Sequence, residues 1–384
     1  MPCRRLEAGS ASLMVALSLV LLAGFSALAV DYTYLHHRKA ALQRAAEAGA
    51  LMGAAMLVRG GQNIDAARDA TVQAAQKALR REDFPDLAVR DSDVAFLWDV
   101  AQDTAGPDQI QVTTGRTEAR GNPVNLFLGG LLGQSSADVS ASARAEVFCS
   151  DASGDLALLV LPAGFTWDDA CEPDARFRGN GVFDTQSGCE AASIRVSGYG
   201  EQDVGRRLVL SPGRFGEMSP GGMFPVARKA LGASGASLAS QARIGEGYFV
   251  TVGEWVAVDE EPNATGSLFD QARLRLAADP EAYWDEACRA VQGGRHQIQE
   301  ESPRIVRMSF FDPSQPPAPG RPEVRICQLG AVFIEELFEN GGVAVRLTRA
   351  MAVAPQRDAS ACDPRGVGLY GVRLAPGGLD GVDD

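Results

Sequence analysis

The chain has 384 residues, 46% of them hydrophobic and 22% charged, with a formal net charge of -13. That length allows one anchor and about two further domains with buried cores. The acidic balance argues against nucleic acid as a partner, because binding it takes clustered Lys and Arg that displace counterions.

Residues 1–10 read as a cytoplasmic N-terminus and 11–30 as a transmembrane helix. Ala11 to Val30 is a run of twenty uncharged residues. At 1.5 Å per residue it makes a helix of roughly 30 Å, the thickness of a bilayer's hydrocarbon core. The rival reading is a cleavable signal peptide, with Arg4 and Arg5 as the basic start and Ala27-Leu28-Ala29 as a small-x-small cleavage site. Both readings send the rest of the chain out of the cytoplasm. Arg4 and Arg5 favour an inside N-terminus, while Arg38, Lys39 and Arg44 lie beyond the other end. The cysteine distribution decides for N-terminus in and C-terminus out: Cys3 precedes the apolar run, and Cys149, Cys171, Cys189, Cys288, Cys327 and Cys362 follow it. In an oxidising compartment these six permit three disulfides in 15 connectivities.

The helical pattern continues past the apolar run, from Arg38 to about Leu57, and stops at Gly60-Gly61. Within it Ala41, Ala45, Gly49 and Gly53 recur every four residues, with Ala46, Ala50 and Ala54 beside them. Two readings stand side by side: a small-residue stripe for close packing against a partner helix, or plain alanine composition favouring helix. A second helix spans Asp65 to Arg81 with Asp65 as its cap. Strands follow over Asp93 to Val100 and Gln109 to Arg116, then a short apolar helix over Asn122 to Gly133, then a strand over Asp138 to Phe148. Residues 31–148 thus form one α+β unit.

Residues 149–384 form a mixed, strand-rich domain. Its strand candidates are Leu156 to Leu161, Ser193 to Val196, Leu208 to Leu210, Gly247 to Val258, Arg304 to Phe311, Glu323 to Phe333 and Val343 to Leu347. Helices are expected over Ser237 to Arg243, Ser267 to Ala277 and Pro280 to Val291, with Pro280 suited to a first turn. The six later cysteines are the candidate staples.

No motif for chemistry emerges. The chain has no G-x-S-x-G, H-E-x-x-H or G-x-x-x-x-G-K-[ST] pattern and no CxxC pair, and its three histidines, His36, His37 and His296, do not supply a zinc cluster. Glu260-Glu261, Glu300-Glu301 and Glu335-Glu336 are adjacent carboxylates, which point to opposite faces of a strand and read as solvated charge. Asn263-Ala264-Thr265 is a formal glycosylation sequon and proposes a surface loop. No catalytic, cofactor-binding or metal-binding residue is assigned.

Several segments carry a resemblance. Arg4-Arg5, the Ala29-Val30-Asp31 exit and LQRAAEAGALMGAA from Leu42 to Ala55 are similar to the start of membrane-anchored TadG-like proteins of bacterial tight-adherence (Flp) pilus assembly. The stretch from Arg116 to Val147 resembles their continuation, and VGEWVAVDEEPNATG, DPEAYWDEA and SPRIVRMSFFDP are similar to their C-terminal region. Prepilins of this system carry Glu five residues beyond a cleavage glycine, whereas Met14 stands five beyond Gly9 and Ala29 five beyond Gly24. The resemblance therefore implies an assembly component and not a processed filament subunit. It further implies a non-enzymatic, single-pass protein of the bacterial inner membrane, bulk outside the cytoplasm, whose partners are other Tad/Flp pilus or secretion components and, through one helix, the lipid bilayer. The expected fold class is α+β: an N-terminal transmembrane helix continuing into a pilin-like α+β unit, then a strand-rich extracytoplasmic domain with disulfides. The rival functions are an adhesin or ligand-binding surface protein and an envelope hydrolase using His296 as a base.

Overall fold

The structure is a computed structural model that describes residues 7–59, 63–82, 84, 87–97, 107–171, 173–174, 178–227, 248–259, 264–296, 301–339, 342–356 and 366–375. Helix α1 runs unbroken over Glu7–Arg59, 53 residues, or about 80 Å. Nothing in its sequence interrupts it: no proline occurs, and the alanines, leucines and charged residues of its second half are strong helix formers. Helix α2, Ile64–Arg81, turns back along it. The cap of α2 is Asn63, whose side chain accepts from the Ala66 amide, and not Asp65 as expected. Asp65 sits in the first turn instead, where a carboxylate favours the helix dipole and lies 3.4 Å from Arg68.

Both helices lie on a sheet whose first strands are β1 (Val94–Leu97), β2 (Gln109–Arg116) and β3 (Val139–Cys149), all antiparallel. Along β3 the residues Val139, Ala141, Ala143, Ala145 and Val147 are buried, so one face of the strand carries mostly alanine. Small side chains on both sheet and helix let the two approach closely.

The second region is built around β4 (Leu159–Pro162), β5 (Arg207–Pro212), β6 (Gly222–Pro225), β7 (Ile305–Phe311), β8 (Glu323–Leu337) and β9 (Val343–Thr348). They pair in the order β8-β7-β4-β6-β5-β9, and β9 pairs back onto β8, so the six strands close into a barrel. Two of the contacts, β7 with β4 and β5 with β6, are parallel. Closure leaves none of the six with an unpaired edge along its whole length. Leu208, Leu210, Met308, Phe310, Val343, Val345 and Leu347 pack into one core, and their neighbours Val160, Phe224 and Phe311 pack into a second on the other face.

The chain then returns to the first sheet. β10 (Ala350–Met351) and β11 (Leu369–Leu374) complete it in the order β1-β2-β3-β11-β10, with Tyr370 opposite Cys149 and Val372 opposite Val147. Tyr370 is fully buried among the alanines of α1 and β3.

Four expected elements differ. Leu156 to Leu161 is not one strand: Leu156 ends Ala152–Leu156, and Leu159–Pro162 is a separate strand in another sheet. Asn122 to Gly133 is not an α-helix: Val124–Asn125 pairs with Ser136–Ala137, and Gly129–Leu132 makes only a 3-10 turn. Glycines at 129, 130 and 133 weaken a helix, and Gly133 adopts φ +84. Pro280 to Val291 is a β-hairpin, Tyr283–Asp285 with Ala290–Gln292, because Asp285 accepts from the amides of Ala287 and Cys288 and fixes a turn there. Gly247 to Val258 divides into Tyr248–Thr251 and Trp255–Ala257 around Gly253 at φ +94. A helix occupies Ala264–Ala278, covering the expected Ser267 to Ala277. The helix expected at Ser237 to Arg243 lies outside the described residues.

Candidate functional site

Helix α1 has two halves of opposite character. Leu13, Val15, Leu19, Val20, Leu22 and Phe25 leave most of their surface open, on every side of the helix. A helix that is apolar all round must be covered by something other than water, and this one is long and apolar enough to cross a membrane. From Ala41 onward the same helix is buried against the body of the protein: Ala41, Ala45, Ala46, Ala50, Ala54 and Leu57 are inaccessible.

Asp31 stands at the junction. Its carboxylate is buried, 6% exposed, and accepts from the Phe127 amide at 2.8 Å and the Leu128 amide at 3.0 Å. The ring of Tyr34, one turn along, meets that of Phe127 edge-on with centroids 4.9 Å apart. Arg38, a further turn on, lies over the rings of Tyr34 and Phe84 at 4.8 and 4.6 Å. The exit of the helix is thus tied to the loop before β3. Sequence reading missed this clasp, although two signals pointed to it: an Asp placed directly after a long uncharged run, and the glycine-broken apolar stretch NLFLGGLLG.

The small-residue stripe is occupied by the chain itself. A Cβ on Gly49 would stand 3.0 Å from Ala75 Cβ and 3.1 Å from the Thr71 carbonyl oxygen. On Gly53 it would stand 2.0 Å from Thr71 Oγ1 and 2.8 Å from Ile110 Cδ1. Thr71 is held there by donating to the Ala67 carbonyl, and Thr114 of β2 donates to the Leu42 carbonyl at 3.0 Å. Ala41, Ala45, Gly49 and Gly53 therefore seat α2 and the sheet. Of the two readings of the stripe, the contacts of Gly49 and Gly53 are those of close helix packing, and the helix they meet is the chain's own α2.

The cysteines divide. Cys171 and Cys189 are joined, bracing the segment around the short helix Gly188–Ser193, and Cys149 is also disulfide-bonded. Cys288 and Cys327 are free thiols on the surface, so these two do not join the expected set of three bridges. One lies on a hairpin turn and the other on β8. Cys362 lies outside the described residues.

The residues considered for chemistry are tied into structure. Ser302 donates to Asp279 at 2.6 Å, and both are buried. Burial pushes the Asp279 carboxyl up, but hydrogen bonds from Ser302 and the Arg295 amide, with the nearby His296 and Arg304, take it net below its ordinary value. The serine faces the carboxylate directly and not an imidazole, which is not the order of a nucleophile and its base. Arg304 spends its guanidinium on the carbonyls of Asp279, Ala282, Ile334 and Glu335. Glu335 is bracketed by Arg207 at 2.7 Å and Arg346 at 2.9 Å, and Arg207 also reaches Glu336. Among the described residues no group of three His, Cys, Asp or Glu is placed to hold a metal ion. Glu260, Glu261, Asn263 and Glu300 lie outside the described residues.

The geometry of α1 meets one comparison with known proteins. Residues 9–56 match the Tad family, described as "Putative Flp pilus-assembly TadE/G-like". The Tad segment takes in the bare half of the helix, the Asp31 junction and the small-residue stripe. No curated protein and no solved structure matches the chain.

Proposed function

We propose that this protein is a non-enzymatic, membrane-anchored component of Tad/Flp pilus assembly or the related secretion machinery. Residues 12–30 of α1 cross the bacterial inner membrane once, and the sheet and barrel stand outside the cytoplasm. One observation carries the reading: the Tad segment coincides with a helix whose first half is bare and apolar and whose second half is fixed into a folded domain. The disulfide between Cys171 and Cys189 fits an oxidising compartment. Because the stripe is filled from within, contact with other pilus components falls to the outer surfaces of the domains. Deleting the gene in its host and counting surface filaments by electron microscopy tests the proposal. Loss of filaments, restored by the intact gene, is expected; undiminished filaments would overturn it.

A further inference from the structure

We propose that the loop from Leu126 to Gly133 is a second membrane contact, resting in the lipid interface beside the exit of α1. The inference rests on the reading of α1 as a membrane span. Its starting point is the Asp31 clasp. Side chains on a helix tilt toward its N-terminus, so the Asp31 carboxylate reaches back toward Val30 and the apolar run. The amides it holds, those of Phe127 and Leu128, therefore lie level with the edge of the hydrocarbon.

What the loop presents there is apolar. Phe127 is 68% exposed although Tyr34 packs on one edge of it, and Leu128 is also exposed. From Gly121 to Ala137 the chain contains no charged residue. Gly129 allows the loop to fold tightly, since a Cβ there would stand 2.5 Å from both the Gln134 carbonyl oxygen and Leu126 Cδ1. Tyr32, exposed on the helix just past Asp31, belongs to the same level, where aromatic side chains are favoured at the bilayer boundary. His36, His37 and Lys39 lie exposed beyond it, at the height of lipid phosphates. A single helix leaves its domain free to rotate about the helix axis; a loop seated in the lipid beside it fixes which face of the domain is turned outward.

The test places tryptophan in the full-length protein, reconstituted in phosphatidylcholine vesicles with and without bromine on the shallow acyl carbons. Phe127→Trp reports the loop and Phe25→Trp reports the span; both side chains are mostly exposed, so either ring is accommodated. The wild-type tryptophans give the baseline. Brominated lipid is expected to remove the added emission of both variants. Quenching of Phe25→Trp alone would overturn the loop contact and leave the anchor standing. No quenching of Phe25→Trp would remove the anchor and the loop contact with it. Protection of Phe127→Trp that grows with protein-to-lipid ratio would assign the face to a second copy and not to lipid.

Discussion

The two halves of α1 are made of the same secondary structure and solve opposite problems. Before Asp31 the helix carries Leu, Val and Phe, large side chains left open on all sides. After it, most buried positions are Ala and Gly, small side chains enclosed by α2, β2 and β3, with Leu42, Leu57 and Val58 the larger exceptions. The comparison teaches that size, more than polarity, separates the bare surface of this helix from the surface that meets the protein's own backbone; on the proposed reading the bare half faces lipid. Lipid tails adapt to any shape, whereas a helix and a sheet come close only where side chains are short.

Three glycines of this one helix can break the comparison. The largest effect is expected at Gly53, where Gly53→Ala drives a Cβ into Thr71 Oγ1 and Ile110 Cδ1; such overpacking costs about 3 kcal/mol. Thermal unfolding in detergent should show it as a lowered Tm. Gly24→Ala meets nothing within 4 Å and should leave that Tm unchanged. A smaller effect belongs to the junction. Asp31→Ala leaves the amides of Phe127 and Leu128 without their acceptor and should weaken the clasp by about 2 kcal/mol, read as faster hydrogen exchange confined to those amides and their neighbours. Among the substitutions that meet a neighbour the smallest effect belongs to Gly49→Ala, where the new Cβ meets Ala75 Cβ at 3.0 Å and α2 can shift slightly. About 1 kcal/mol is expected there. Equal Tm values for the Gly24 and Gly53 variants would contradict the division of the helix.

Much of the first unit was legible in the sequence because its signals are local. The uncharged run, the alanine-rich continuation and the alternation of β2 and β3 each announce one element within a few residues. The occupant of the stripe was not legible, since small residues at every fourth position look alike whether the neighbour is another protein or α2. Asn122 to Gly133 and Pro280 to Val291 were misread for a related reason. Apolar content suggested helices, but glycine freedom in one and the Asp285 turn in the other decided the backbone. Closure of the barrel and the return of β10 and β11 join residues far apart in the chain, and no window of sequence displays such pairings. For the same reason the free state of Cys288 and Cys327 could not be read from an even count.

The return of β11 has a consequence in time. Arg373 bonds to Glu146 across a separation of 227 residues, and Tyr370 fills the space among the alanines of α1 and β3. While the chain is being made, α1, α2 and three strands are therefore ready long before the strand that finishes their sheet. The sheet edge along β3 must wait through the synthesis of the entire barrel, exposed and in need of protection. A chain interrupted anywhere before residue 369 keeps α1 and α2 against an open sheet, a form that proteolysis can distinguish from the finished molecule.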